Sequence, residues 1–455
     1  MKPIAIIGGG FSGAITAVQL VRTLPPDQPI LIFERGGPIG TGLAYSTDVA
    51  AHLLNVRATN MSVFPDDPAH FENWIRRHFG VPSAECHVTP AGLFATRRLY
   101  ARYVRSCFEE AADSRPNARR PLWVRAEITD LWRDGDGFRL RDAAGQEYEA
   151  GAVILAVGNI PPAAAADPRH ITNPWNTSYL EGLGQKAPIL VLGSALSMVD
   201  IVLLLRAKGY QGPITAVSRR GILSSAHRPV AAWPTPTLSA AERNAVRPLL
   251  RRLRREAAAA PDWRAVIDAI RPITTEIWMG WSREERRRFL RHARRFWDAH
   301  RHRMAPPNEA AIALELQTGG LTIEAGRVTA IEPKLDGLQV TIKGETRLFQ
   351  RVIAATGLEN AEHGKSGLIH QLCERGLARL DPLGIGLAAG PDLAVAPGIW
   401  ALGPIVRGTF WECVAVPDIR DQAVRCAREV AASVTPPLHP PAIGAAAPAP
   451  GLGAT

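Results

Sequence analysis

The sequence predicts an α/β protein built from two nested copies of one parallel-sheet unit, the inner copy interrupted by a helical insertion. Two observations carry this. The first is the opening, where an apolar strand (Pro3 to Ile7) runs through Gly8-Gly9-Gly10-Phe11-Ser12-Gly13 into a helical pattern, Ala14 to Leu24. Pro25-Pro26-Asp27 stops that helix, and a second apolar run, Ile30 to Phe33, follows, which completes a βαβ unit. The second is an internal repeat. Between Trp123 and Gly158 the chain reads strand (Ile128 to Trp132), hairpin (Asp134 to Gly137), two strands, and an apolar run from Val153 to Val157 ending at Gly158. Between Leu321 and Gly357 it does the same, with Val328 to Ile331, a turn at Asp336-Gly337, and Val352 to Thr356 ending at Gly357.

The repeat sets the domain plan. Upstream of the second meander lies another strand–turn–helix, Ile189 to Leu205, so each meander has its own nucleotide-fold-like start. An outer domain is expected over 1–165 and 358–435. An inner domain is expected over 186–357, broken by an Arg-rich helical insertion at about 235–315. Residues 436–455, rich in Pro, Ala and Gly, read as a disordered tail.

Totals exclude several classes. A 455-residue chain with 46% hydrophobic and 21% charged residues reads as a globular enzyme of two domains. Three glycines interrupt the apolar start, which argues against a signal segment, and no apolar run is long enough to span a bilayer. The five cysteines (86, 107, 373, 413, 426) form no Cys-x-x-Cys pair, which points to a reducing cytoplasm and away from structural zinc or a redox dithiol. The net charge of +10 comes largely from arginines between Arg243 and Arg303, read as solvated helix faces. No aromatic-interleaved basic motif points to nucleic acid. His300 and His302, at i and i+2, do not share a helix face, so no metal site is expected. Trp281, Trp297, Phe289 and Phe296 read as helix-packing residues. The oligomeric state is left open.

The chemistry begins at Gly8-x-Gly10-x-x-Gly13. Gly8 permits the tight turn, Gly10 lets a pyrophosphate approach the backbone, and Gly13 lets helix and strand pack closely. The free N–H groups of a helix start, Phe11 and Ser12 among them, favour an anion there. Glu34, about 20 residues on at the end of the second strand, is placed to accept ribose hydroxyls. Arg35, Gly42, Gly158, Gly403 and Pro404 complete the expected cofactor contacts. The meander, the strand ending at Gly158 and a late strand at Trp400 to Pro404 point to FAD at this first site. Gly408-Thr409-Phe410-Trp411-Glu412 follows, then a helix from near Pro417-Asp418 whose start would favour the charge of a reduced flavin.

The second glycine turn is degraded to Gly193-Ser194-Ala195-Leu196-Ser197-Met198. After its next strand stands Ser218-Arg219-Arg220, where an acidic residue would select NAD. A hydroxyl and two guanidiniums suit a 2′-phosphate, so NADPH is expected over NADH.

The chain resembles a bacterial FAD/NAD(P)-binding flavoprotein family that includes the two-dinucleotide-fold urate hydroxylase and, more distantly, amino-acid N-hydroxylating monooxygenases. The matching segments are Ile6 to Gly13, Gly40 to Tyr45, Leu54-Asn55-Val56, Arg97 to Tyr100, Gly193 to Asp200, Gly408 to Glu412 and Pro417 to Ile419. His170 to Trp175 is at best a remnant of the Phe-x-Gly-x-x-x-His of flavin-containing and Baeyer–Villiger monooxygenases. The resemblance implies hydroxylation of a small nitrogen-containing metabolite, with dioxygen as co-substrate and a flavin hydroperoxide as oxidant. Urate, and with it purine catabolism, leads. Amino-acid N-hydroxylation, or electron transfer to a partner protein or quinone, stands as the alternative. Trp411, Glu412 and Asn55 are the candidate catalytic residues: Trp411 as a cavity wall that excludes water, or else a packing residue; Glu412 or Asn55 as hydrogen-bond partners of flavin or substrate.

Overall fold

The computed structural model describes residues 1–159, 162–356 and 367–434; Gly357 and the expected tail at 436–455 lie outside the described residues. Two parallel sheets dominate. In the first, strands lie in the order Ala394–Ala396, Ile399–Ala401, Ala152–Leu155, Ile4–Ile7, Ile30–Phe33, Leu122–Val124. All neighbours are parallel except the outermost pair, 394–396 with 399–401. In the second the order is His170–Ile171, Arg351–Ala354, Ile189–Leu192, Ile214–Ser218, Leu321–Ala325, all parallel.

From the second strand of the first sheet onward the two orders correspond element by element. Each sheet has its own three-stranded meander: Ile128–Asp134, Gly137–Asp142 and Glu147–Ala150 in one case, Val328–Lys334, Gly337–Ile342 and Glu345–Phe349 in the other. The backbone pairing repeats as well. Gly8 N–H donates to Phe33 O and Gly193 N–H to Val217 O, both at 2.8 Å; Ala156 N–H reaches Ile7 O at 2.9 Å, and Ala355 N–H reaches Leu192 O at 2.7 Å. Inner strands are buried on both faces, which explains why they read as continuous apolar runs such as Ile4-Ala5-Ile6-Ile7.

The first helix spans Phe11–Thr23, so it begins inside the glycine turn, three residues before the expected Ala14. Its counterpart in the second sheet is Leu196–Ala207. The insertion forms helices from Ala240–Asn244 to Pro306–Gln317, around a core of Trp278, Trp281, Phe289 and neighbouring Leu and Ile residues. Much of its arginine excess is paired locally, as in Arg243–Glu276, Arg252–Glu256 and Arg303–Asp268. Phe296 departs from the packing expectation: it is 42% exposed and lies beneath the Arg220 guanidinium, 4.9 Å from it. No helix among the described residues is long and apolar enough to cross a membrane. All five cysteines are free.

Candidate nucleotide cradles and the site between them

At the first glycine turn the backbone leaves no room for side chains. Gly8 has φ +105°, and a Cβ there would stand 2.4 Å from Ala156 O; one on Gly13 would stand 1.8 Å from Gly8 O. Gly10 faces Gly42, whose Cα lies 3.1 Å from the position of a Cβ on Gly10. The helix that follows has Gly10 at its N-cap, no side-chain cap and no acidic residue in its first turn. Its leading N–H groups are therefore available to an anion. The Gly403 loop closes over this end: a Cβ on Gly403 would meet Ser12 Oγ at 2.9 Å, and Gly403 N–H is held by Gln422 Oε1 at 2.8 Å. Pro404 follows in the same turn. A cradle that a Cβ would fill, at an uncapped helix start, fits a pyrophosphate.

Glu34 ends the second strand and accepts from Gly9 N–H (2.8 Å) and Gly36 N–H (3.0 Å). That ties the carboxylate to the glycine turn and fixes its orientation. Arg35, expected at the cofactor, is instead exposed and ion-paired to Glu127 at 3.0 Å. Phe11 packs edge-on to Tyr45 and against Tyr100, and anchors the helix start. Gly158 takes φ +67° just past the Ala152–Leu155 strand.

The second turn repeats the plan with different chemistry. Gly193 has φ +119°, and its Cβ would meet Ala355 O at 2.4 Å, as at Gly8. Ala195 is the N-cap, again with no side-chain cap. Ser194 Oγ pairs with Ser218 Oγ at 2.8 Å, and Gly221 N–H donates to Ser218 Oγ at 3.0 Å. Ser218 thus takes the bridging place that Glu34 holds in the first unit. Arg295, from the insertion, reaches Ser194 Oγ (3.0 Å) and Ile222 O. Arg219 and Arg220 are exposed, and neither forms an ion pair among the described residues.

Between the two units lies a cavity of about 200 Å³, lined by Leu43, Thr47, His52, Trp175, Ser197 and Asp200. Leu43 adjoins Gly42, and Ser197 is in the first turn of the second helix, so the cavity opens between the two helix starts. Beside it a buried ion pair joins the units: Arg97 Nη2 to Asp200 Oδ2 at 2.8 Å, with both side chains under 10% exposed. Asp200 O also contacts His52 Nε2 at 2.9 Å, and Thr47 Oγ1 contacts His52 Nδ1 at 2.8 Å. Burial lowers the His52 pKa, partly offset by Asp200. The sequence reading quoted both segments that meet here, Arg97 to Tyr100 and Gly193 to Asp200, without pairing them. An arginine and an aspartate on helices expected to be buried were the available signal.

The candidate catalytic residues gather at the insertion. Trp411 has φ 59° and ψ −66°, and Glu412 N–H donates to Phe410 O at 2.7 Å across it. This is a γ-turn of the rare positive-φ kind, costing on the order of 1–3 kcal/mol in strain. It turns the Trp411 ring into the insertion, stacked on Trp278 at 4.7 Å and edge-on to Phe289 at 5.2 Å. Trp278 Nε1 in turn donates to Gly408 O at 3.0 Å. Glu412 is buried, with Oε1 accepting from Trp297 Nε1 (3.1 Å) and Oε2 from Arg301 (3.3 Å). Burial pushes its pKa up, but Arg301, His302 and the Trp297 N–H outweigh that, and the net shift is down. The last helix begins at Val416, and its first turn already carries Asp418, buried and facing Arg271 at 3.4 Å. Asn55 sits apart: its carbonyl accepts from His227 Nε2 at 3.0 Å, and its amide makes no hydrogen bond among the described residues.

Residues 5–160 match the family described as FAD-NAD(P)-binding, so this part of the chain is an FAD-NAD(P)-binding domain. Over 167 residues the chain is 29% identical to the 3-dehydro-bile acid delta(4,6)-reductase of Clostridium scindens, which covers 35% of this chain and 39% of that enzyme. Two solved structures share the fold over nearly the whole length. L-lysine 6-monooxygenase from Pseudomonas syringae has a TM-score of 0.63 at 16% identity, covering 96% of this chain and all of that one. The reduced form of ornithine hydroxylase from Pseudomonas aeruginosa has 0.61 at 15%, with 96% and 100% covered.

Proposed function

We propose that the chain is an FAD-dependent NAD(P)H monooxygenase that hydroxylates a small nitrogen-containing metabolite, with dioxygen as co-substrate. The observation that supports this is the duplicated cradle, Gly8 under Ala156 O and Gly193 under Ala355 O, each followed by an uncapped helix. In this reading an FAD domain comprises 1–165 and 358–435, and a nicotinamide domain 186–357 carries the insertion at 235–315.

When bound, FAD supplies hydride acceptance and oxygen activation. The protein's part is holding and shielding. Gly8, Gly10 and Gly13 keep the first turn open to pyrophosphate, and Phe11, Ser12 and Gly13 present N–H groups to it. Glu34 offers its remaining lone pairs to ribose hydroxyls. Gly193 and Ser194 open the second turn, while Ser218, Arg219 and Arg220 face the 2′-phosphate of NADPH. Gly42, Gly158, Gly403 and Pro404 let the backbone come close to the flavin nucleotide. Trp411 keeps water from the reacting centre, and Asn55, with its free amide, is the group available to flavin or substrate.

Urate as substrate rests on the sequence resemblance. An amino-acid N-hydroxylase is the second reading, favoured by the full-length likeness to the lysine and ornithine enzymes. A reductase without oxygen chemistry is the competing class, favoured by the Clostridium relative. Oxygen consumption by the purified yellow protein with NADPH separates them. A hydroxylase consumes oxygen faster when urate, L-lysine or L-ornithine is added and releases hydroxylated product. NADPH oxidation that none of the three stimulates, and that runs equally well without oxygen onto a quinone, would instead establish the reductase.

A further inference from the structure

Around Trp411 the insertion and the Gly408 loop enclose a charged cluster. Four guanidinium groups, Arg271, Arg294, Arg301 and Arg407, meet three carboxylates, Asp298, Glu412 and Asp418. Three pairs form: Arg271–Asp418 at 3.4 Å, Arg294–Asp298 at 3.3 Å and Arg301–Glu412 at 3.3 Å. Arg407 is the cation left over. It makes no ion pair and no side-chain hydrogen bond among the described residues, and its Nε is buried without a partner. Its guanidinium lies 4.4 Å from the Trp411 ring centre, with Arg294 at 5.6 Å from the same ring. Burial, then the nearby Arg294, pull the Arg407 pKa down, yet a guanidinium stays charged at neutral pH. A shielded cation with an open donor is costly unless something pairs with it. Arg301 Nε, also buried, has no partner either.

Beside this cluster lies an apolar cavity of about 40 Å³, lined by Ile277, Trp278, Trp281, Phe289, Trp297 and Trp411. Two of its walls belong to both places: Trp297 donates to Glu412, and Trp411 carries the Arg407 contact. The strained turn at Trp411 is what holds that shared wall in position.

We infer that this is the substrate's charge-recognition site, and that the substrate is a small anion with an apolar or aromatic body, its anionic group held by Arg407 with help from Arg301. This deepens the monooxygenase reading and rests on it. Arg407 stands four residues past Gly403, which closes the first cradle, so the same stretch of chain would link cofactor and substrate.

Benzoate and its neutral isostere benzamide are the probes, titrated by calorimetry into the FAD-loaded protein. Benzoate should bind at least tenfold tighter than benzamide. Arg407→Gln should abolish that preference, and Arg407→Lys should recover part of it. Equal affinity for the two probes in the unaltered protein, or no binding of benzoate, would overturn the inference, and this comparison needs no variant to fold. A benzoate preference that survives in folded Arg407→Gln would overturn it as well, because the anion would then bind elsewhere. Flavin content and anaerobic bleaching by NADPH, read on the same preparations, keep the two readings apart. Colourless protein counts against the flavoenzyme reading; yellow, NADPH-reducible protein blind to the charge of the probe counts against the arginine assignment alone.

Discussion

The two glycine turns share a backbone and differ in side chains, and the difference separates what the fold requires from what a ligand requires. Gly8 and Gly193 are fixed by the same constraint, a positive φ and a strand-end carbonyl 2.4 Å from any Cβ. No nucleotide is needed to explain either. Gly13 and Met198 occupy the same step, yet one has no room for a Cβ and the other buries a full side chain. The first helix therefore sits tighter on its strand than the second. The bridge from turn to second strand also changes character. In the first unit a carboxylate, Glu34, accepts two backbone N–H groups; in the second, the hydroxyls of Ser194 and Ser218 pair with each other. One arrangement carries a negative charge at the ribose position. The other is neutral with two exposed arginines beside it.

The largest expected effect comes from making the first turn resemble the second. Gly13→Met should abolish FAD retention, because its Cβ collides with the Gly8 carbonyl and the helix start must move away. Absorbance per chain after purification measures this, and a yellow, stoichiometric variant would break the comparison. Met198→Gly should leave flavin content unchanged. It should cost about 2–5 kcal/mol of stability through the cavity it opens.

Next in size is the tie between the units. Arg97→Ala would strand Asp200 as a buried, uncompensated charge, a loss of about 3–5 kcal/mol. Denaturant unfolding followed by flavin release and by tryptophan emission reads it. A loss below about 1 kcal/mol would mean that the pair is not buried in solution.

A smaller effect sits where the first unit meets the insertion. Burial lowers the His227 pKa to about 4, with the Asn55 carbonyl and Asp268 opposing and Arg57 and Arg303 adding to the shift. The ring is neutral in the folded chain. The unfolded chain takes up its proton as pH falls through about 6.5, whereas the folded chain resists until about 4. Stability should therefore decline between those values by on the order of 3 kcal/mol, and His227→Gln should flatten that part of the profile. Melting temperature against pH for both proteins checks the sign.

How much of this was legible in the sequence follows from what sets each feature. Strands such as Ile4 to Ile7 and Ile189 to Leu192 are buried on both faces, and their apolar runs announce it. The glycine turns are steric, so residue identity alone reveals them. The helix boundary at Phe11 was less visible, since Ser12 and Gly13 are poor helix formers held there by packing. The Arg97–Asp200 pair, the Arg295 contact to Ser194 and the Arg407 cluster were not legible. Each joins residues some 100 positions apart or more, and no local pattern records which of many arginines meets which partner. Arg35 misled for the same reason: it follows Glu34 in sequence, but its partner Glu127 comes from the start of the meander. Trp411 was readable as a wall, but the γ-turn that aims it depends on the insertion it packs against.

The central claim is a division of labour, with FAD in the first cradle and a phosphorylated nicotinamide nucleotide in the second. Anaerobic bleaching of the bound flavin by NADPH and by NADH, in the unaltered protein and in Arg219→Gln/Arg220→Gln, tests it most directly. A charge-assisted hydrogen bond is worth about 1.5–3 kcal/mol, so losing both guanidiniums should raise the Michaelis constant for NADPH at least tenfold and leave that for NADH nearly unchanged. Equal use of the two nucleotides by the unaltered protein, or a double variant that keeps its preference for NADPH, would contradict the account.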